Sequence, residues 1–431
     1  MERKRYTELL RWKNKPSDRR KPLIIEGARQ TGKTWLAREL GRKEFKYYLE
    51  INFEEMSQLR DLFEQDFDIQ RIIRTINAAT GVPVVPDDTL IFFDEIQFAR
   101  RGLLSLKYFL DKAPQYHVVV AGSLLGVIHH KDDSFPVGKV DFLKIYPLDF
   151  EEFLMAIGGG NLLELLKSKD WKVIEMFHSK LTYLLKLYYY IGGMPEAVSN
   201  YCDDNDLSNV REIQLRLLKS YYDDFSKHPP KEIIPRMQIL WNSIPAQLSK
   251  ENKKFVFAAI RQSARARDYE TSIQWLCDAG LVHKVNRINN AELPLMAFED
   301  ISVFKLYLID IGLFGAMMGL QASTIVEGNE YFKQFKGALT EQYVMQQLKC
   351  KRNIQIFYWA YQEGMSEVDF VIQQDDQIIP IEVKAERNLK AKSLGSFIKR
   401  YNTKTNIRTS LFHYVDGEQI TDLPLYAISL L

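Results

Sequence analysis

Cysteine is scarce: Cys202, Cys277 and Cys350 are the only three in 431 residues. An odd number, spread so far apart, builds neither a disulfide framework nor a metal knuckle, and this usage points to a reducing compartment. Net charge is nearly absent too. With 58 Lys and Arg against 56 Asp and Glu, the formal charge is +2, so bulk electrostatics selects no partner and any nucleic-acid surface must be local. No apolar run approaches the roughly 18 residues of a membrane helix; the longest lies around Val118 to Ile128. Met1 to Lys15 is too charged for a secretion signal. A soluble, cytoplasmic protein is expected, with no membrane partner. Repeats and low-complexity tracts are missing, and 46% hydrophobic residues exclude disorder as the organising principle. A chain this long is expected to hold about two to four domains.

Against that plain background one motif stands out. Gly27-Ala28-Arg29-Gln30-Thr31-Gly32-Lys33-Thr34 fits GxxxxGK[ST] without a mismatch. The apolar stretch Pro22-Leu23-Ile24-Ile25 precedes it as a strand, and Trp35 to Leu40 follows with helical periodicity, stopped by Gly41. Strand, glycine loop and helix form the context this motif requires. Gly27 and Gly32 let bare N–H groups curl around phosphate oxygens, and the helix start adds its orphan donors and dipole. Lys33 reaches the β and γ phosphates of ATP, and Thr34 places a hydroxyl on Mg²⁺.

A strand of the same kind, Thr89 to Phe93, ends in Asp94 and Glu95. Asp94 is expected to orient Mg²⁺ through its water shell, and Glu95 to polarise the water that attacks the γ phosphate. The second acid separates a hydrolase from a mere binder, because holding nucleotide does not need it. His117 to Ser123 supplies another strand, with Ser123 at its carboxyl end, where open α/β sheets place ligand groups. Arg29, Arg100, Arg101 and Lys139 are candidates for the cation that neutralises transition-state charge; the sequence does not choose among them.

From Lys21 to about Tyr146, apolar strands alternate with helical stretches, the signature of a parallel sheet covered by helices. Tyr47 to Phe53 and Asp141 to Ile145 complete the strand set. The fold class is α/β: a P-loop ATPase domain over 1–150, a helical region over 151–230, a winged-helix-like domain over 231–300 and an α/β domain over 330–431. In the third, helical pieces around Ile239 and Phe257 precede a helix over Tyr269 to Ala279. Strands at Leu281 to Arg287 and Leu293 to Phe298 then flank Asn289-Asn290. A DNA-reading third helix should be basic, yet Asp268, Glu270 and Asp278 make this one acidic; Arg261, Arg265 and Arg267 lie just before it. Packing within the chain is the favoured role.

The last hundred residues carry a second candidate site. An amphipathic helix over Lys336 to Leu348 bears Glu341. Three strand-like runs follow, Ile354 to Ala360, Glu367 to Ile372 and Ile378 to Lys384, with Asp375-Asp376 turning between the last two. Residues i and i+2 of a strand share a face, so Glu382 and Lys384 point the same way, toward Asp369 on the neighbouring strand. Two carboxylates and a lysine can hold a divalent cation and activate water for phosphodiester cleavage. Lys384, Arg387, Lys390, Lys392, Lys399, Arg400, Lys404 and Arg408 then face one acid, Glu386, a run suited to a phosphate backbone.

Together these residues resemble a family of prokaryotic AAA-type ATPases with a C-terminal domain of unknown function. The resemblance spans the chain, through residues 27–34, Phe-Asp-Glu-Ile-Gln at 93–97, Gly-Ser-Leu-Leu-Gly at 122–126 and Ser-Phe-Pro-Val-Gly-Lys-Val at 134–140. It continues through Tyr-Pro-Leu-Asp-Phe-Glu-Glu-Phe-Leu at 146–154, Gly-Gly-Met-Pro-Glu at 192–196, Glu-Val-Asp-Phe at 367–370 and Ile-Glu-Val-Lys at 381–384. It implies that Ser123 senses the γ phosphate. The tail is similar to the PD-(D/E)XK nuclease fold, which implies acids at Asp369 and Glu382 and the lysine at Lys384; the family's leading Pro-Asp is Val368-Asp369 here. Three functions fit: an ATPase whose tail cuts or grips nucleic acid, an ATP-driven switch or scaffold with a degenerate tail, and a DNA-binding regulator, which the acidic third helix opposes. An oligomer is open in all three.

Overall fold

The computed structural model describes residues 2–122, 135–226, 229–250, 253–260, 264–328, 333–361, 366–385 and 392–431. Two compact units are present, one of Glu2–Tyr146 with Asp278–Gly280, the other of Pro147–Cys277 and Leu281–Leu431.

In the first unit, β1 (Leu23–Glu26), β2 (Tyr47–Asn52), β3 (Thr89–Asp94), β4 (His117–Ala121) and β5 (Asp141–Lys144) form one sheet in the order β2-β3-β4-β1-β5. Every pairing is parallel. β3 and β4 are buried along their whole length, as the inner strands of a sheet covered on both faces must be. Period-2 alternation sorts their side chains. Leu23, Ile25, Leu90, Phe92 and Val119 meet Leu9, Trp12, Leu36 and Leu40 from helices Tyr6–Lys13 and Lys33–Glu44. Ile24, Ile91, Phe93, Val118 and Val120 meet Ile72, Ile76, Leu106 and Phe109 from helices Ile69–Thr80 and Gly102–Lys112. Ile69–Thr80 shows how locally such a helix is specified. Asp68 caps the N–H groups of Gln70 and Arg71, four isoleucines fall on one face, and Gly81 at φ 70° ends the helix.

The second unit begins with helices. Asp149 and Glu152 close a capping box at the start of Phe150–Ala156. After further helices comes an eight-stranded mixed sheet of β6 (Val282–Ile288), β7 (Glu299–Leu308), β8 (Ile354–Tyr361), β9 (Ser366–Gln374), β10 (Gln377–Val383), β11 (Ile407–Ser410), β12 (Val415–Asp416) and β13 (Thr421–Pro424). Its order is β12-β13-β11-β10-β9-β8-β6-β7. Two expectations change here. The strand expected at Leu293 to Phe298 is a 3-10 turn over Leu295–Phe298, and the partner of β6 is the following segment, β7. Around Phe257 there is only a single 3-10 turn. The strand pair β6–β7 also extends into the larger sheet, because β6 pairs in parallel with β8 through Arg287–Tyr358 and Ile288–Trp359, which is packing within the chain.

The helix Lys333–Lys349, expected to be amphipathic, is buried on all sides from Ala338 to Leu348. Its polar residues are satisfied internally rather than by water. Gln342 accepts from Leu308 N and donates to Leu308 O, at 3.0 and 2.7 Å. Gln346 accepts from Ile311 N at 2.8 Å, and Gln347 accepts from Phe150 N at 2.8 Å. The side-chain amides therefore hold backbone from three separate segments, as buried polar groups require.

Candidate functional site

The loop after β1 has the backbone of an anion cradle. Gly27, Gln30 and Gly32 all have positive φ, at 144°, 65° and 94°. A side chain at Gly27 would collide with the carbonyl of Ile145, so the position demands glycine on space as well as on φ. Lys33 opens the following helix, and its Nζ donates to the carbonyls of Gly27 and Ala28 at 2.9 and 2.8 Å. Burial lowers its pKa to about 8, against the pull of Glu95 and Asp94. Thr31, fully buried, ties the loop to itself by donating to Ala28 O at 2.8 Å.

β3 carries Asp94 to the same end of the sheet. Thr34 donates its hydroxyl to Asp94 Oδ2 at 2.9 Å, so the two halves of the site touch across sixty residues of chain. Burial raises the Asp94 pKa to about 6, helped by Glu95 and opposed by the Thr34 hydrogen bond. Glu95 takes a left-handed turn at φ 48°, is half-buried, and accepts from the Gln97 amide. Hydroxyl and carboxylate oxygens converging beside a phosphate cradle are the donor set of a hard divalent cation. Asp94 is thus held buried against its own charge.

Of the candidate cations, Arg100 pairs with Glu64 at 3.1 Å, Arg101 donates to the Glu64 carbonyl and lies over the Phe67 ring, and Lys139 pairs with Asp111 at 2.8 Å. Arg29 sits in the cradle and acts electrostatically on Lys33. Ser123 lies outside the described residues. One supporting residue escaped the sequence reading: Arg3, buried, donates to Thr31 O at 2.9 Å and to Tyr146 O at 2.6 Å, fastening the loop from behind. Its only signal is an arginine close before an apolar helix, which is no signal in practice.

In the second unit Glu341, Asp369, Glu382 and Lys384 come together. Val383 N donates to Asp369 Oδ2 at 2.8 Å, and Lys384 Nζ meets Glu382 Oε1 at 2.6 Å, so the strand face expected for this pair is the one observed. Asp369 shares a hydrogen bond with Glu341. Burial, and then repulsion from Glu341 and Glu382, raises Asp369 well above the usual carboxylate range. Burial also opposes the charge of Glu341, but Lys253 and Lys305 overcome it and hold that group at about 2.

Those two lysines were not foreseen. Lys305, fully buried in β7, reaches Glu367 at 2.5 Å and Glu341 at 3.8 Å. Lys253 forms a close ion pair with Glu341, and Tyr307 donates to the same carboxylate at 3.3 Å. A lysine in the middle of Val-Phe-Lys-Leu-Tyr-Leu is a legible anomaly, since a charge in a buried run needs a partner. Among the described residues no three His, Cys, Asp or Glu side chains stand in a metal-holding arrangement. The basic run that follows is also reduced. Arg408 forms a two-point pair with Asp422 at 2.5 and 2.7 Å and is not free for phosphate, while Arg387 and Lys390 lie outside the described residues. Lys392, Lys399, Arg400 and Lys404 are exposed.

Residues 19–154 match the family described as AAA domain. Residues 182–324 and 336–427 match two families described as domains of unknown function, DUF8612 and DUF4143. Among solved structures, the chain is similar to a Walker-type ATPase of Pyrococcus abyssi at 13% identity and TM-score 0.47, covering 74% of this chain and 95% of that one. It is also similar to Cdc6p from Pyrobaculum aerophilum, at 12% identity and TM-score 0.28 over 78% and 95% of the two chains. For AMPPCP-bound DnaA from Aquifex aeolicus the values are 13%, 0.25, 63% and 86%. No curated protein matches. The match to the AAA domain falls on the parallel sheet and glycine loop of the first unit, an α/β, AAA-like domain. None of the described helices is long and apolar enough to cross a membrane.

Proposed function

We propose that the P-loop domain binds ATP with Mg²⁺ and hydrolyses it. The observation that carries this is the Thr34–Asp94 contact at 2.9 Å beside a cradle of positive-φ backbone. Lys33 exchanges its two carbonyl partners for the β and γ phosphates. Thr34 and Asp94 would hold the cation, which would supply positive charge beside the phosphates. Glu95, free of the cation, orients and polarises the attacking water. Ser123 is proposed as the γ-phosphate sensor and Arg29, which acts electrostatically on Lys33, as the extra cation. Nucleotide affinity and phosphate release measured side by side test the division of labour. Lys33→Ala is expected to lose affinity by 100-fold or more (about 3 kcal/mol), and Glu95→Gln to keep affinity while turnover falls by about 10²-fold or more. Equal loss of affinity in both variants sinks the assignment.

The C-terminal domain is proposed to act on or grip nucleic acid through Asp369, Glu382 and Lys384, with Glu341 behind them. A second reading, an ATP-driven switch or scaffold with a non-cutting tail, draws support from Lys305. That buried ammonium already pairs with two of the neighbouring acids, Glu367 and Glu341. Calorimetry with Mn²⁺ on the full chain carrying Lys33→Ala separates them. Binding that vanishes in Asp369→Asn, together with strand nicking lost in Lys384→Ala, supports the first; no Mn²⁺ binding supports the second.

A further inference from the structure

In the second unit a cavity of about 560 Å³ opens at the carboxyl ends of the parallel pair β10 and β11, where Ala385 and Leu411 line it. The carboxyl end of a parallel pair is where α/β sheets accept ligands. Its far wall is one face of helix His178–Ile191, which contributes His178, Ser179, Thr182, Tyr183 and Lys186; Lys336 adds a second ammonium. A smaller recess of about 120 Å³ shares Lys186, Lys336, Ala385 and Leu411 and reaches Tyr189 and Thr340. Ala385 directly follows Lys384, and Thr340 directly precedes Glu341, so the cavity flanks the carboxylate cluster.

Its chemistry is that of an anion site. No acid occurs among the described residues lining either space. Two lysines, a histidine and several hydroxyls do. Among the described residues Thr182 Oγ1 is a buried atom without a hydrogen-bond partner, and Tyr189, only 8% exposed, turns its hydroxyl to Thr340. A buried hydroxyl such as that of Thr182 is costly to leave unpaired unless a ligand or water meets it. The contact of Lys186 with the Val326 carbonyl, at 3.4 Å, is long for a hydrogen bond and easily exchanged. The larger space has the size of a small-molecule pocket rather than of a bare phosphate. Tyr183, 51% exposed, offers an aromatic ring at its edge, and a nucleobase can stack on such a ring.

We propose that this cavity binds a nucleoside monophosphate unit, with the phosphate on Lys186, Lys336, Ser179 and Thr182 and the base against Tyr183. Where the unit is the phosphorylated end of a strand, the proposal rests on the nucleic-acid reading of the C-terminal domain. The test uses the full chain carrying Lys33→Ala, which silences the P-loop, in EDTA. A 5′-phosphorylated oligothymidylate is expected to bind tenfold or more tightly than its 5′-hydroxyl counterpart. That preference is expected to vanish in Lys186→Gln/Lys336→Gln, to weaken in Thr182→Val and to persist in Asp369→Asn. AMP binding with the same dependence on the lysines, without a strand preference, identifies a free mononucleotide as the ligand and also supports the pocket. Equal affinity for both oligonucleotides with no AMP binding at millimolar concentration overturns the proposal, as does a preference that survives the double lysine variant. An intact preference without any metal-dependent nicking refutes the cleavage reading alone.

Discussion

Asp94 is a carboxylate kept at a cost. Its pKa rises from 3.8 to about 6, so the folded protein binds that proton more tightly than the unfolded chain does. The sign follows: the ionised form destabilises the ligand-free fold above pH ~6, and the penalty fades as pH falls from ~6 to ~4. Two pKa units correspond to at most about 3 kcal/mol. Asp94→Asn is expected to stabilise the ligand-free protein by about 1–3 kcal/mol at pH 8, with the gain gone near pH 4 and turnover abolished at every pH. Thermal melts with and without the substitution read this directly; a less stable variant at pH 8 would show that the charge is already compensated. This site was legible because P-loop chemistry fixes residue types at fixed offsets. Arg3 and Lys253 were not, since a lone cation on a polar segment looks the same whether it faces water or a buried carboxylate.

At the level of elements, strands were the readable part wherever they were buried on both faces, as in Val118-Val119-Val120 or Ile91-Phe92-Phe93. Failure came where burial used polar side chains. Gln342, Gln346 and Gln347 gave helix Lys333–Lys349 the look of a half-solvated surface helix, yet they substitute for water on the backbone of neighbouring segments. β7 was missed for a related reason, because Lys305 breaks the apolar alternation of its strand. Gln342→Leu leaves both the N–H and the C=O of Leu308 unpaired in the interior. A loss of roughly 2–5 kcal/mol is expected, measured by urea unfolding of the full chain. A change below ~1 kcal/mol would mean that Leu308 finds other partners.

For the whole chain, nucleotide should act as a stabiliser by mass action. At a free Mg²⁺–ATP analogue concentration of about 100 Kd the native state gains about 2.7 kcal/mol. An upward shift in melting temperature is therefore expected for the native chain and for Glu95→Gln, and no shift for Lys33→Ala. A shift retained in Lys33→Ala would locate nucleotide elsewhere in the molecule. The sequence of segments along the chain was legible from changes in periodicity. Which segments share a sheet was not, because pairing between distant strands leaves no local trace.

The pairing of β6 with β8 matters to anyone who shortens this protein. A fragment starting at residue 330 discards β6 and β7, and β8 is left with a bare row of N–H and C=O groups beside the large side chains of Phe357 and Trp359. Such an edge is a template for self-association. The same cut removes Lys305 and strands Glu341 and Glu367 without their buried counter-ion. Starting the C-terminal fragment at residue 281 keeps β6 on β8 and the sheet closed on that side, and less aggregation from that start than from 330 is the behaviour this edge dictates.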